Sequence, residues 1–444
     1  MSCNSDGFLV EHLLRRAGFG ATPTELQHYQ SIGYDRTLKE LLHPEKVRND
    51  DLDETITAQN FDFTRIDDLK KWWIYRMTFT RRPLEEKITL FWHGHFATSI
   101  RKVGSVYAMY MQNMLFRRQG LGNFHELLLA TSRDPAMIIW LDNQQNRKGK
   151  PNENYAREIM ELFSLGIGNY TEEDIKEAAR AFTGWETKPD GFNFNAGQHD
   201  YGQKTFLGQT GNFNGDDIVA ILVKQPALAK FIAKKMCKFF VSDQPSDTII
   251  ADVAGAYSAK GENIKKMLTV LFEHDEFKSK AAYHAKIKSP CELVIGTLKS
   301  LQVQKLDPDL ANQMNRMGQG LFEPLNVKGW DGGQAWIATD TMMERFNFAT
   351  RMTQQKFDAI EGYISPTDLV QQQGLTDTDT MVDYFLKLLV DGDVPDSTRK
   401  ELRAYLVSGP NGKPVDPLAD EKLLDSKLRG LVHLIMTLPT YQLA

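Results

Sequence analysis

Two apolar stretches hinged at Arg81-Arg82-Pro83 constrain this chain most. In DDLKKWWIYRMTFT, from Asp67 to Thr80, charges are interleaved with Leu69, Trp72, Trp73, Tyr75, Met77 and Phe79, the pattern of a mostly buried amphipathic helix. Proline cannot extend that helix but suits the first turn of the next, PLEEKITLFWHGHF. The same periodicity predicts helices over residues 106–118, 124–132, 154–165, 172–183, 216–224 and 227–240. Thr171, followed by Glu172, Glu173 and Asp174, is a strong helix start. A chain written this way folds by packing helices on helices.

One region breaks the period. Residues 184–215, GWETKPDGFNFNAGQHDYGQKTFLGQTGNFNG, are rich in Gly, Asn and aromatics, and Phe192 with Phe194 supports at most a short β-hairpin. Long loops inside compact domains are uncommon and often functional. The expected fold is therefore mainly α: a compact multi-helix domain over residues 1–350, with a loop insertion at 184–215 covering a pocket, and a C-terminal helical subdomain over 351–444 packed on it. A weak internal repeat relates the helices after Phe239 and Phe240 to those after Leu388 and Leu389, and implies only a helical scaffold.

Composition narrows the function classes. With 444 residues, 41% hydrophobic and 25% charged, the chain is a folded globular protein of ordinary make-up. Its net charge of -5 argues against a broad basic surface, so nucleic acid is not an expected partner. No stretch reaches about 18 uninterrupted apolar residues, so membrane insertion is not expected either. Cys3, Cys237 and Cys291 are too scattered for a disulfide framework or a thiolate zinc site. The first residues lack a signal-peptide pattern, which reads as cytoplasmic as written, and as periplasmic or secreted if a signal has been trimmed.

Three segments could carry chemistry. Glu86 and His93 lie on one helix face two turns apart, and His95 follows Gly94, where the helix could end. A carboxylate with one or two imidazoles can ligate a divalent metal or share a proton, and a His between Trp92 and Phe96 can equally be a satisfied core residue. In NENYAREIMELFSLG, Asn154, Glu158 and Glu161 share a face, with Arg157 placed to pair with Glu161. Glu158 reads either as ligand or general acid-base, or as part of a buried ion network. In QHDYGQKTFLG, His199, Asp200, Lys204 and Thr205 supply a base, an acid and two donors, or a capped turn. GWDGGQAW is a tight turn between tryptophans that suits a pocket wall; it lacks the Lys-Ser/Thr of a phosphate loop. Near the start, HLLRRAGFGATPTEL reads as a helix, a glycine turn and a Thr-Pro cap, with Arg15 and Arg16 facing an anion or an internal acid.

Taken in order, HLLRRAGFGATP, LEEKITLFWHGHFATS, DPAMIIWLDNQQN, NENYAREIMELFSLGIGNYTEEDIKEAARAFTGW, HDYGQKTFLG, KSPCELV and GWDGGQAWI resemble the large bacterial family known as domain of unknown function 1800, from His12 to Ala349. That resemblance implies no defined activity. It places recurring polar positions at Arg15, Arg16, Glu86, His93, His95, Asp142, Asn143, Asn152, Glu153, Asn154, Arg157, Glu158, Glu161, His199 and Asp200. Many members of the family look exported and sit beside sulfatase-like proteins, which implies a sulfatase-like partner and work on extracellular material.

The expected function is a metal-dependent hydrolase. His93, His95 and His199 with Glu158 or Asp200 would bind one divalent ion, zinc or similar, lowering the pKa of a bound water, and Glu153 or Glu161 would act as general base. The aromatic and Asn-rich loop favours a glycan or peptide-like substrate, met by Asn154, Arg157, Lys204 and Trp330. A metal-free variant would use two carboxylates. The alternative is a non-catalytic helical binding or assembly protein partnering a secreted or periplasmic protein.

Overall fold

A computed structural model describes residues 6–258, 263–354, 356–357, 360–361, 364–409 and 412–444; Cys3 lies outside them. The fold is mainly α, and contacts divide it into two units. The first is discontinuous, made of residues 1–34, 283–320 and 332–444, and the second holds 35–282 and 321–331. This division differs from the 1–350 and 351–444 expected. The N-terminal helix Asp6–Ala17 is tied by Arg15 to Asp391, to which the Tyr283 hydroxyl also donates at 2.6 Å, so pairing across the sequence sets the first unit.

In that unit the helix Glu421–Met436 packs against Thr339–Thr353, Pro366–Gln372, Thr378–Val390 and Asp396–Leu406. Its buried residues Leu428, Leu431, Val432 and Ile435 fall at i, i+3, i+4 and i+7, one apolar stripe. The Thr-Pro cap forms as read: Thr22 Oγ1 accepts from Glu25 N at 3.2 Å, and Glu25 Oε2 accepts from Thr22 N at 2.7 Å.

The second unit is built around the helix Pro83–His95, which packs on Ile66–Phe79 and Val106–Gln119 and is buried on nearly every side. A helix enclosed on nearly every side, with buried polar residues such as Glu86, Lys87, His93 and His95 as well as apolar ones, lies at the centre of its unit. Asn154–Glu161 packs on Glu172–Ala181, and Pro226–Phe240 on Asp247–Gly255. The helix from Asn154 is shorter than expected, because Phe163 N turns to the Glu158 carbonyl at 3.1 Å and closes it after Glu161.

The region expected as a loop holds two antiparallel hairpins. Trp185–Lys188 pairs with Gly191–Phe194, with Trp185 opposite Phe194, and Lys204–Phe206 pairs with Gln209–Gly211. The second was missed because its two-residue turn is Leu207-Gly208, both at positive φ (47° and 77°), a type I′ geometry without the usual Asn-Gly. Among the described residues no helix is long and apolar enough to cross a membrane.

Candidate functional site

Glu86 is fully buried and fully engaged: Arg117 binds both carboxylate oxygens at 2.8 Å, Arg76 Nε donates at 2.9 Å and Trp73 Nε1 at 3.0 Å. Burial would raise this carboxyl, but Arg117 and Arg76 overcome it and hold it at about 2. Glu86 is therefore a permanently charged anchor for three helices.

His93 and His95 share neither a ligand nor a proton. The Phe322 backbone N–H donates to His93 Nε2 at 3.1 Å, which puts the imidazole proton on Nδ1, and the ring lies against Trp73, Phe322 and Trp330. His95 Nε2 donates to the Phe163 carbonyl at 3.1 Å, and its Nδ1 is buried with no hydrogen-bond partner among the described residues. Burial pushes both rings down to about 3, so each is neutral at any ordinary pH. The helix does not end at Gly94 but runs through His95. Gly94 serves close approach: it faces the Trp330 ring, and a Cβ on Gly329, at φ +86°, would lie 2.2 Å from the Gly94 carbonyl oxygen. The turn 326–331 is thereby seated on the end of the helix.

That turn also reaches the NENYARE helix. Lys328 acts through space on Glu158, and His95 meets the same segment at Phe163. Glu158 is half-buried; burial raises its carboxyl, Glu161 one turn on raises it further, and Arg157 and Lys328 oppose them only through space. Glu161 accepts from the Tyr170 hydroxyl at 3.1 Å, and that phenol is pushed up to about 12 by burial and by Glu161. Arg157 does not pair with Glu161. It forks onto Glu172 at 2.9 and 2.8 Å and reaches Glu153 at 3.5 Å, since the helix ends at Glu161 and Glu172 opens the facing helix.

The third segment is a rigid turn rather than a donor cluster. Asp200 pairs with Arg180 at 2.8 Å and accepts from Gly202 N at 2.8 Å, and the arginine holds its carboxyl down at about 2. Lys204 is buried, with Nζ donating to the Asp200 and Gly202 carbonyls; burial lowers its pKa. His199 Nδ1 donates to the Thr183 carbonyl at 2.9 Å, and burial lowers this ring as well. Phe194 and Tyr201, both exposed, flank it edge-on.

The turn joins the NENYARE segment through asparagines that sequence reasoning left in the background. Asn146 Nδ2 donates to the Ala179 carbonyl at 2.8 Å, its Oδ1 accepts from Asn152 N at 2.9 Å, and its carbonyl accepts from Gly184 N at 3.0 Å. Asn143 Nδ2 reaches the Trp185 carbonyl, and Asp142 pairs with Lys102 at 2.8 Å. Asn154 is exposed beside them and donates to Asp142 at 3.5 Å. Together they frame a shallow polar depression of about 580 Å3 lined by Gln145, Arg147, Lys150, Pro151, Asn152 and Glu153. The Gly-centred turn RKGK was the readable signal for its rim.

The ligand set His93, His95, His199 and Glu158 is not assembled. Among the described residues no three His, Cys, Asp or Glu side chains are grouped to hold a metal ion, and each of the three histidines spends a ring nitrogen on the backbone. Cys237 and Cys291 are buried, and neither forms a disulfide among the described residues.

A family model described as Protein of unknown function (DUF1800) matches residues 12–443. No curated protein and no solved structure matches the chain significantly.

Proposed function

For this chain, which belongs to the DUF1800 family, we propose a hydrolase that acts on a polar, carbohydrate or peptide-like substrate at the face carrying Glu158 and Glu161. One observation carries the reading: Glu158 is a half-buried carboxyl, raised by burial and by Glu161, with no cation bonded to it among the described residues. A carboxyl whose surroundings raise its proton affinity, beside a second carboxyl one turn away, is the raw material of acid-base hydrolysis. Glu158 is the proton donor in this reading, and Glu161, which accepts from the Tyr170 hydroxyl, is the second carboxyl of the pair. Asn154, Arg157 and Trp330 would contact substrate, and Glu153 belongs to the rim of the polar depression.

The chemistry is routed through carboxylates alone. Direct ligation of zinc needs donor atoms at about 2.0 to 2.3 Å, and the residues proposed from the sequence do not fit that demand. Asp200 and Lys204, bound to Arg180 and to backbone carbonyls, are assigned to the turn. A periplasmic or secreted setting, with a sulfatase-like partner, belongs to the same proposal.

The test is hydrolysis of a panel of chromogenic aryl glycosides and aminoacyl anilides. Glu158→Gln is expected to lower kcat/KM by about 10² to 10⁴ for whichever member is turned over; a rate within twofold of wild type sinks the reading. A second reading, a non-catalytic assembly protein, is favoured by the engagement of Glu86, His93 and Asp200 in internal bonds. It predicts no turnover of the panel, and co-elution with a sulfatase-like partner that Glu158→Gln leaves intact.

A further inference from the structure

The HLLRRAGFGATP motif takes no part in that site, yet it lines a cavity of its own. Within the discontinuous unit, the helices Asp6–Ala17, Pro23–Ile32 and Thr378–Val390 border a space of about 210 Å3. One wall is hydrocarbon, from Leu14, Pro23, Leu26 and Leu388. Another carries neutral polar groups, Gln27, Gln30, Gln373, Ser300 and Tyr384. The Tyr384 hydroxyl is buried and meets no hydrogen-bond partner among the described residues. Folded proteins rarely leave such a group unmet.

The third wall decides what charge a ligand can bring. Glu11 accepts from Arg15 at 2.9 Å and from Lys387 at 2.8 Å, and Arg15 also binds Asp391. Two cations face two acids, so the wall is neutral and every charge already has its opposite. An entering ion would have to break one of these pairs in a largely buried setting, whereas an uncharged molecule breaks none.

We propose that this cavity binds a small uncharged amphiphile. Its hydrocarbon end lies on Leu14, Leu26 and Leu388, and its amide or hydroxyl end bonds the Tyr384 hydroxyl and the neighbouring glutamine amides. A dry cavity of about 150 Å3 takes benzene, so this larger one suits roughly eight heavy atoms.

Hexanamide, hexanoate and hexylammonium share one chain and differ in charge, and titration calorimetry on the full chain separates them. Hexanamide is expected to bind saturably, with both ions about tenfold weaker or more. Tyr384→Phe removes a hydroxyl that has no partner among the described residues, so the melting temperature should hold while hexanamide binding weakens about three- to tenfold. Leu26→Trp, checked by circular dichroism for native helix content, should fill the space and abolish binding. The proposal is overturned if hexanamide fails to saturate, if either ion binds as tightly, or if a folded Leu26→Trp protein binds hexanamide like wild type.

Discussion

Glu86 and Glu158 lie in the same unit and differ in the opposite sense to their burial. Glu86 is completely enclosed and stays charged, held at about 2, while Glu158 is only half-enclosed and is raised. The difference is in what else was brought to each. Two arginines and an indole N–H converge on Glu86 from neighbouring helices, whereas Glu158 has a second glutamate one turn away and cations only at a distance. Burial alone thus says little about a carboxylate; the partners delivered by other helices decide whether its proton affinity falls or rises.

The largest effect should come from removing the buried anchor. Glu86→Ala takes from Arg117 and Arg76 the carboxylate that both bind, leaving Arg76 only Asp53 at 4.0 Å as an ion-pair partner among the described residues, and should cost about 3 to 5 kcal/mol in denaturant unfolding. Next comes acid, acting on the imidazoles of the same helix. His93 and His95 have folded-state values near 3, below the unfolded value, so the unfolded chain binds more protons as pH falls. Stability should therefore drop below about pH 6.5, by about 1.4 kcal/mol per pH unit for each ring once the pH is well below that value. His95→Gln should remove one of the two contributions, and a urea midpoint that is flat between pH 6.5 and 4.5 would contradict the neutral-ring assignment.

Smaller effects sharpen the contrast at Glu158. Its raised carboxyl disfavours charge in the folded state, so Glu158→Gln should change unfolding free energy at pH 7 by less than about 1 kcal/mol, unlike Glu86→Ala. The smallest change is expected from Lys328→Ala, which removes a distant stabilising charge. The alkaline limb set by Glu158, as proton donor in the proposed reaction, should shift upward by a few tenths of a pH unit, roughly the size of a screened surface interaction.

Much of the scaffold was legible in the residues. The helices at Ile66–Phe79, Pro83–His95 and Phe124–Ser132 follow from apolar spacing and proline placement, and the caps at Thr22 and Thr171 from a hydroxyl followed by an acid three residues on. The turn at Leu207-Gly208 was not legible, because a leucine at positive φ carries no propensity signal and is held there by the hairpin around it. Sequence spacing also placed Arg157 beside Glu161, and the facing helix took it for Glu172 instead.

For the site, the sequence by itself determined which side chains could carry chemistry: the HGH pair, the two glutamates of NENYARE and the His-Asp of the loop. Only the tertiary structure decided their states. The HGH pair meets the NENYARE segment not through a shared ion but through a hydrogen bond from His95 to a backbone carbonyl, with the 326–331 turn closing against Gly94. The physical reason is that a residue's pattern fixes what its side chain can donate, accept or hold, while proton affinity and ligation depend on groups within a few ångströms, supplied by segments far away in the chain.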